Sequence, residues 1–218
     1  MPDWPQDIME DSLIKLIFFD YDGVLTTDKT GSLTTNRYLS KATGLEFSRV
    51  KNAISRYNND LILGKTTYSR IWGNVCEELG CEINISLLKE AFESTPINAP
   101  MFSLAQQLKS NYAIGIITDN KKDRFDHLKI TQKLDKLFSP IVVSAEIGMS
   151  KQGTGIFLHA LDRASAVSEE CIFIDNNRDN LIPATMVGFR TIFYDDEKND
   201  IEALVLTLRN MGVILDKR

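Results

Sequence analysis

Five short runs of nearly continuous apolar residues are each cut off abruptly by polar or acidic ones. They are residues 13–19 before Asp20-Tyr21-Asp22-Gly23, 113–117 before Thr118-Asp119-Asn120, 141–143 before Ser144, 171–174 before Asp175-Asn176-Asn177, and 191–194 before Asp195-Asp196. A run without alternation is what a strand covered on both faces requires, because neither side of its pleat meets water. Helical spacing fills the intervals. Met101, Leu104, Ala105 and Leu108 recur at steps of three and four, as do Ile156, Phe157, Ala160 and Leu161. Ile201, Leu204, Val205 and Leu208 repeat the pattern up to a stop near Gly212. Strands alternating with helices predict an α/β fold, a Rossmann-like parallel sheet core of about five strands with helices on both faces.

The stretch between the first two strands breaks this rhythm with helical stripes and no strand. One stripe is Val50, Ile54, Tyr57 and Leu61, ending near Gly64; a second is Tyr68, Ile71, Trp72, Val75 and Leu79, ending at Gly80; Leu88, Ala91 and Phe92 suggest a third. Polar residues 26–36 lead in and Thr95-Pro96-Ile97-Asn98-Ala99-Pro100 leads out, which reads as two linkers. The expectation is an inserted α-helical cap domain at residues 30–97, a core domain from residues 13–29 and 98–218, and an N-terminal tail at residues 1–12. Both linkers leave the sheet beside Asp20, so the cap is expected above the carboxyl ends of the strands.

Composition narrows the function class. Thirty acidic against 25 basic residues give a net charge of −5, which argues against a non-specific nucleic-acid binder. An anionic small substrate then needs a cation supplied by the site itself. Cys76, Cys81 and Cys171 have no metal-type spacing, and their odd number suits a reducing compartment rather than a disulfide framework. The start MPDWPQDIMEDSLIK lacks the basic and apolar regions of a secretion signal, and no apolar run approaches the roughly 20 residues of a membrane helix. The chain is expected to be cytoplasmic, a monomer or homodimer, with neither nucleic acid nor membrane as partner.

Acids gather at the predicted strand ends, where open α/β sheets bind their ligands. Asp20 and Asp22 lie two residues apart on one strand end and Asp175 ends another, with Asp179 shortly after it. Carboxylates crowded into a crevice repel one another, and a hard divalent cation with oxygen ligands relieves that repulsion. D-x-D-G alone is often only a turn, but turn chemistry does not account for a hydroxyl at a third strand end, Thr118, and a lysine after a fourth, Lys151. A calcium loop is excluded because Val24 stands where an oxygen ligand is needed. A glycosyltransferase-type D-x-D fits poorly with the helical insert.

Together these residues resemble the haloacid dehalogenase (HAD) superfamily over almost the whole chain. Ile17-Phe18-Phe19-Asp20-Tyr21-Asp22-Gly23-Val24-Leu25 is similar to its first motif, Ile116-Ile117-Thr118 to the second, Gly148-Met149-Ser150-Lys151 to the third, and the run from Phe173 through Asp175 and Asn176 to Asn180 to the fourth. The insert resembles the small C1-type helical cap of subfamily IA. The resemblance implies a Mg2+-dependent phosphatase acting on a small phosphorylated metabolite. Asp20 would be the nucleophile that forms an aspartyl-phosphate and Asp22 the general acid and base. Thr118, Asp119 and Lys151 would hold phosphate, and Asp20, Asp22 through its backbone carbonyl, Asp175 and Asn176 would hold the metal. A dehalogenase lacks an acid two residues after its nucleophile, so Asp22 favours phosphate chemistry. Three positions depart from the common pattern: Asn176 replaces a second acid, Asp119 replaces Asn, and Gln152 replaces the Pro after Lys151. The alternatives are a phosphosugar mutase, disfavoured by the absence of His in residues 26–36, and a catalytically weak HAD-like binding module. His127 and His159 read as surface or packing residues; Arg49, Arg56 and Lys65 are cap cations that could meet an anion.

Overall fold

The structure is a computed structural model and describes residues 14–215. The expected N-terminal tail, the leader reading and the first residue of the first apolar run lie outside the described residues. Strand β1 (Leu16–Phe19) passes through a wide turn, Tyr21–Leu25, into five helices: α1 (Gly31–Thr43), α2 (Phe47–Ser55), α3 (Asn58–Ile62), α4 (Tyr68–Leu79) and α5 (Leu87–Glu93). The chain then returns through α6 (Ala99–Leu108), β2 (Ala113–Thr118), α7 (Lys122–Thr131), α8 (Leu134–Leu137), β3 (Ile141–Val143) and α9 (Ser144–Ile147). It ends with α10 (Gly155–Ala164), β4 (Cys171–Asp175), α11 (Arg178–Val187), β5 (Arg190–Phe193) and α12 (Ile201–Asn210).

All five strands are parallel, in the order β3-β2-β1-β4-β5. Successive side chains of β1 point to opposite faces, and both faces are covered. Leu16 and Phe18 pack with Ile156, Phe157 and Ala184 from α10 and α11, while Ile17 and Phe19 join Met101, Leu104 and Leu208 from α6 and α12. Two-sided burial is the reason the runs do not alternate. The order of strands turns on β1, whose neighbours are β2 on one side and β4 on the other. Its carboxyl end therefore opens at the switch point where ligands bind in such sheets.

The inserted helices form a cap. As expected, α4 buries Tyr68, Ile71, Trp72, Val75 and Leu79 and stops at Gly80, whose φ of 70° is left-handed. The stripe from Val50 to Leu61 is two helices, α2 and α3, rather than one. Helix α1 begins inside the stretch expected to be a linker, with the Thr30 hydroxyl accepting the Leu33 N–H at 3.2 Å as its N-cap. Its buried positions include Thr34, Thr35 and Asn36, so no apolar stripe announces it. The true connections are short and lie side by side: Thr26 bridges Ile97, and the Thr27 N–H donates to the Pro96 carbonyl at 3.0 Å. The cap also touches the core where the Tyr68 N–H donates to Asp123 (2.6 Å) and the Ser144 hydroxyl to the Ile62 carbonyl (2.8 Å). Cys76, Cys81 and Cys171 are free. No helix among the described residues is long and apolar enough to cross a membrane.

Candidate active site

Asp20 is the first residue after β1. Its backbone N–H donates to the Ile174 carbonyl at 2.8 Å, which extends the β1 to β4 pairing by one position. The chain then turns sharply. Gly23 takes φ 81°, a left-handed conformation that glycine adopts without a side-chain clash. A Cβ at Gly23 would stand 2.1 Å from the Asn176 amide nitrogen, so this glycine also lets the β4 end approach the turn. The Thr26 hydroxyl accepts the Gly23 N–H at 3.1 Å.

Four of the expected residues converge around one ammonium. Lys151 is 2% exposed; its Nζ lies 2.8 Å from Asp20 Oδ1 and 2.6 Å from Asp175 Oδ2, and its backbone N–H donates to Asp119 Oδ1 at 2.9 Å. The charge between Asp20 and Asp175, the position expected for a metal ion, is thus the lysine's own. Burial opposes this ammonium, but Asp175, Asp20 and Asp119 outweigh it and hold Lys151 above the usual lysine range. For Asp20 burial dominates over the pull of Lys151 and pushes the carboxyl up to about 8. Burial likewise raises Asp119. Asp175 is fully buried and saturated: besides Lys151 it accepts the Asn177 N–H at 2.7 Å and the Asn180 amide at 3.1 Å.

Asp22 is placed differently from the expectation of a free acid. Both its oxygens are taken by Arg124, Nη1 to Oδ2 and Nη2 to Oδ1, each at 2.8 Å, and the Asn120 amide adds a third donor at 2.9 Å. Both oxygens are thus engaged as acceptors in this arrangement. Arg124 is 1% exposed and also donates to Asn120 (3.0 Å) and to Thr95 (3.1 Å) in the returning linker. A Cβ at Gly31 would stand 2.2 Å from its guanidinium carbon. One side chain therefore joins the turn after β1, the loop after β2 and the returning cap connection, with the first residue of α1 packed against it. Nothing in the apolar pattern marks Arg124 as functional, but it shares the buried stripe of α7 with Phe125 and Leu128, and an arginine at such a position signals a buried partner.

The strand ends and the cap enclose a crevice of about 790 Å³. Asp20, Asp22, Thr118, Asp119, Lys151 and Asn176 line it; Asp175 stands behind the wall, and Asp179 is exposed and does not reach it. Of the backbone N–H groups that follow Thr118, that of Asn120 donates to the Ser144 hydroxyl (3.0 Å) and that of Lys121 to the Asn120 side chain (3.1 Å). Arg49, Arg56 and Lys65 are not on the wall; Arg49 caps the Leu79 carbonyl and Arg56 pairs with Glu78. The cap-side cations that line it are Lys29 and Lys51. His127 bonds Glu93 and neither histidine lines the crevice.

The donors suit a hard divalent cation. Asp20 meets Tyr21 and Lys151 through Oδ1, and Oδ2 accepts no hydrogen bond from the described residues. The Asn176 amide is pressed against Gly23 on the same wall, and three buried or half-buried acids face a single ammonium. Among the described residues no three acidic, histidine or cysteine side chains form a metal-holding group. A cation here would therefore combine the Asp20 carboxylate with amide and backbone oxygens, from Asn176 and the Asp22 carbonyl. Asp175 would join by exchanging one of its present donors.

The family model of the haloacid dehalogenase-like hydrolases matches residues 14–206. The chain is a haloacid dehalogenase-like hydrolase. This hydrolase is 26% identical over 214 residues to bifunctional epoxide hydrolase 2 of Rattus norvegicus, which covers 88% of the chain and 38% of that protein, so the chain spans well under half of this relative. In fold it is similar to a HAD-like family hydrolase from Porphyromonas gingivalis, with TM-score 0.74 and 23% identity, covering 90% of this chain and 98% of that one. It is also similar to a HAD family enzyme from Bacteroides thetaiotaomicron in complex with magnesium and inorganic phosphate, with TM-score 0.68 and 18% identity, covering 88% and 98%. A 2-haloacid dehalogenase from Pseudomonas syringae has TM-score 0.62 at 20% identity, covering 84% and 87%. At these identities the likeness is one of fold.

Proposed function

We propose that this hydrolase is a Mg2+-dependent phosphatase that cleaves a small phosphorylated metabolite through an aspartyl-phosphate on Asp20. The observation that carries the reading is the Asp20 carboxylate itself: it ends the central strand, lines the crevice, keeps one oxygen without a hydrogen-bond partner and has a buried ammonium at its other oxygen. In the first step that oxygen bonds to phosphorus as the ester P–O bond breaks, and the leaving alkoxide takes the proton of a protonated Asp22 carboxyl. In the second, water bonds to phosphorus as Asp22 takes a proton from it, the P–O bond to Asp20 breaks and the carboxylate is restored. Thr118 and Lys151 would orient the phosphoryl oxygens. Asp119 holds the Lys151 backbone and so sets where that lysine stands. A divalent cation supplies charge neutralisation between carboxylate and phosphate. Asp22 carries protons only after exchanging Arg124 for the leaving group, which makes the pair a step in the cycle. Magnesium with phosphate in a fold relative is consistent with this chemistry.

The Arg124 clamp also favours a second reading, a binding module with little turnover, because it occupies both oxygens of the residue that would move protons. An aryl phosphate assayed with and without Mg2+, for the native chain and Asp20→Asn, separates the two. The proposal expects metal-dependent phosphate release that falls by about a thousandfold or more in Asp20→Asn. Equal background in both proteins would contradict it.

A further inference from the structure

The catalytic acids leave part of the crevice without a task. Besides Lys151, the cations on the wall are Lys121 from the loop after β2, Lys29 from the connection before α1 and Lys51 from α2, with no acid among the cap residues that line it. That is an unexpected local excess of cations in a chain of net charge −5. Lys29 and Lys51 are exposed. Lys121 is 4% exposed, and among the described residues its Nζ hydrogen-bonds only the Ser32 hydroxyl, with the Tyr68 ring 5.9 Å away. A buried ammonium without a carboxylate partner is costly, and the group responds: burial first, then the nearby Arg124, hold it down at about 7. One turn of α1 beyond Ser32, also on the wall, is Asn36, likewise 4% exposed, whose buried Oδ1 accepts no hydrogen bond from the described residues. An unmet buried acceptor is destabilising, and a ligand's donor would relieve it.

We propose that the crevice takes a phosphate monoester bearing a second oxyanion, a carboxylate or another phosphate, with that oxyanion on Lys121, a neighbouring hydroxyl donating to Asn36, and Lys29 and Lys51 drawing the anion in from solvent. This rests on the phosphatase reading and names its substrate class. The two ends of the ligand are separated by function. Asp20, Thr118 and Lys151 address the phosphoryl group that leaves, while Lys121 and Asn36 address the part that stays. It also explains why α1 is polar where it is buried: Ser32 and Asn36 face the ligand instead of a core.

The test compares matched pairs: phosphoglycerate against glycerol phosphate, which differ by carboxylate for hydroxymethyl, and fructose bisphosphate against fructose phosphate. The native enzyme is expected to favour the members with the second oxyanion by about tenfold or more in kcat/KM, chiefly through KM. Lys121→Met is expected to bring each pair within about twofold, and Lys121→Arg to keep part of the preference. Lys51→Met, at an exposed position that does not threaten folding, should reduce the preference and its dependence on salt. The carboxylate and phosphate arms show which oxyanion is taken. Equal kcat/KM within both pairs, or a preference that survives Lys121→Met and Lys51→Met, would overturn the inference while leaving the phosphatase reading intact. Calorimetry on Asp20→Asn with the same compounds gives an answer independent of turnover. If nothing is hydrolysed but the members with the second oxyanion still bind more tightly, the proposed reaction fails and this recognition stands; equal binding sinks the recognition.

Discussion

Asp20 combines two demands that pull against each other. A nucleophile must be ionised, yet burial holds this carboxyl at about 8, against an ordinary 3.8. A pKa raised in the native state stabilises the fold fully below the unfolded value and loses that contribution as pH climbs through the native one. The metal-free protein should therefore lose stability between about pH 4 and pH 8, with a flatter slope for Asp20→Asn, as read from urea midpoints across that range. A cation on Asp20 displaces the same proton. Apparent Mg2+ affinity should then rise by about tenfold per pH unit below about pH 8, measured calorimetrically; an affinity independent of pH would contradict the assignment of Asp20 as a ligand. At Arg124 the prediction concerns folding. Arg124→Gln leaves Asp22 with the Asn120 amide alone in a half-buried site, and should lower stability by about 3–5 kcal/mol in equilibrium unfolding. Among these residues, Asp20, Thr118, Lys151 and Asp175 were legible because each ends or follows an apolar run. Arg124, Asn120 and Lys121 were not, because they sit in a charged helix start whose burial depends on the cap folding over it.

Elements differ in how openly they are written. The five strands stand out because both faces of each are packed, which leaves no polar alternation to blur them, and α4 is marked by an apolar stripe with a glycine at its end. Helix α1 carries no such stripe, since the residues it buries are Gly31, Thr34, Thr35 and Asn36 besides Leu39 alone among large apolar ones. Part of it, including Ser32 and Asn36, lines the crevice, so its polarity there is not that of a helix packed on a core. The turn after β1 is the element on which the site depends most. Gly23→Ala must bear both a left-handed φ and a Cβ pressed into Asn176. It should destabilise the protein by about 1–3 kcal/mol in thermal unfolding, and weaken Mg2+ binding more than Gly44→Ala does. Gly44 also has a positive φ, but its Cβ would meet open space far from the metal ligands. An equal effect of the two substitutions on Mg2+ would mean that the contact with Asn176 carries nothing.

Across the whole molecule, the cap meets the core through a set of separate bonds. Tyr68 to Asp123, Ser144 to Ile62, Lys121 to Ser32 and His127 to Glu93 join the two, and the paired connections at Thr26 and Ile97 hold its base. Asp123→Ala removes the acceptor of a helix-start N–H without touching the crevice wall. It should speed proteolysis within the cap helices and raise KM while changing kcat less, because closure rather than chemistry is loosened. The overall division of sheet and helical insert was readable from periodicity alone; the way one arginine couples the connections to Asp22 required coordinates, since its partners are separated by up to 102 residues in sequence. The account depends on Asp20 carrying the phosphoryl group during turnover. Its most direct measurement is mass spectrometry of enzyme acid-quenched during turnover of a phosphate ester in Mg2+. The peptide that contains Asp20 should gain the mass of one phosphoryl group in the native protein and not in Asp20→Asn. Steady phosphate release with that peptide unmodified, or a phosphoryl group found on another residue, would contradict the mechanism.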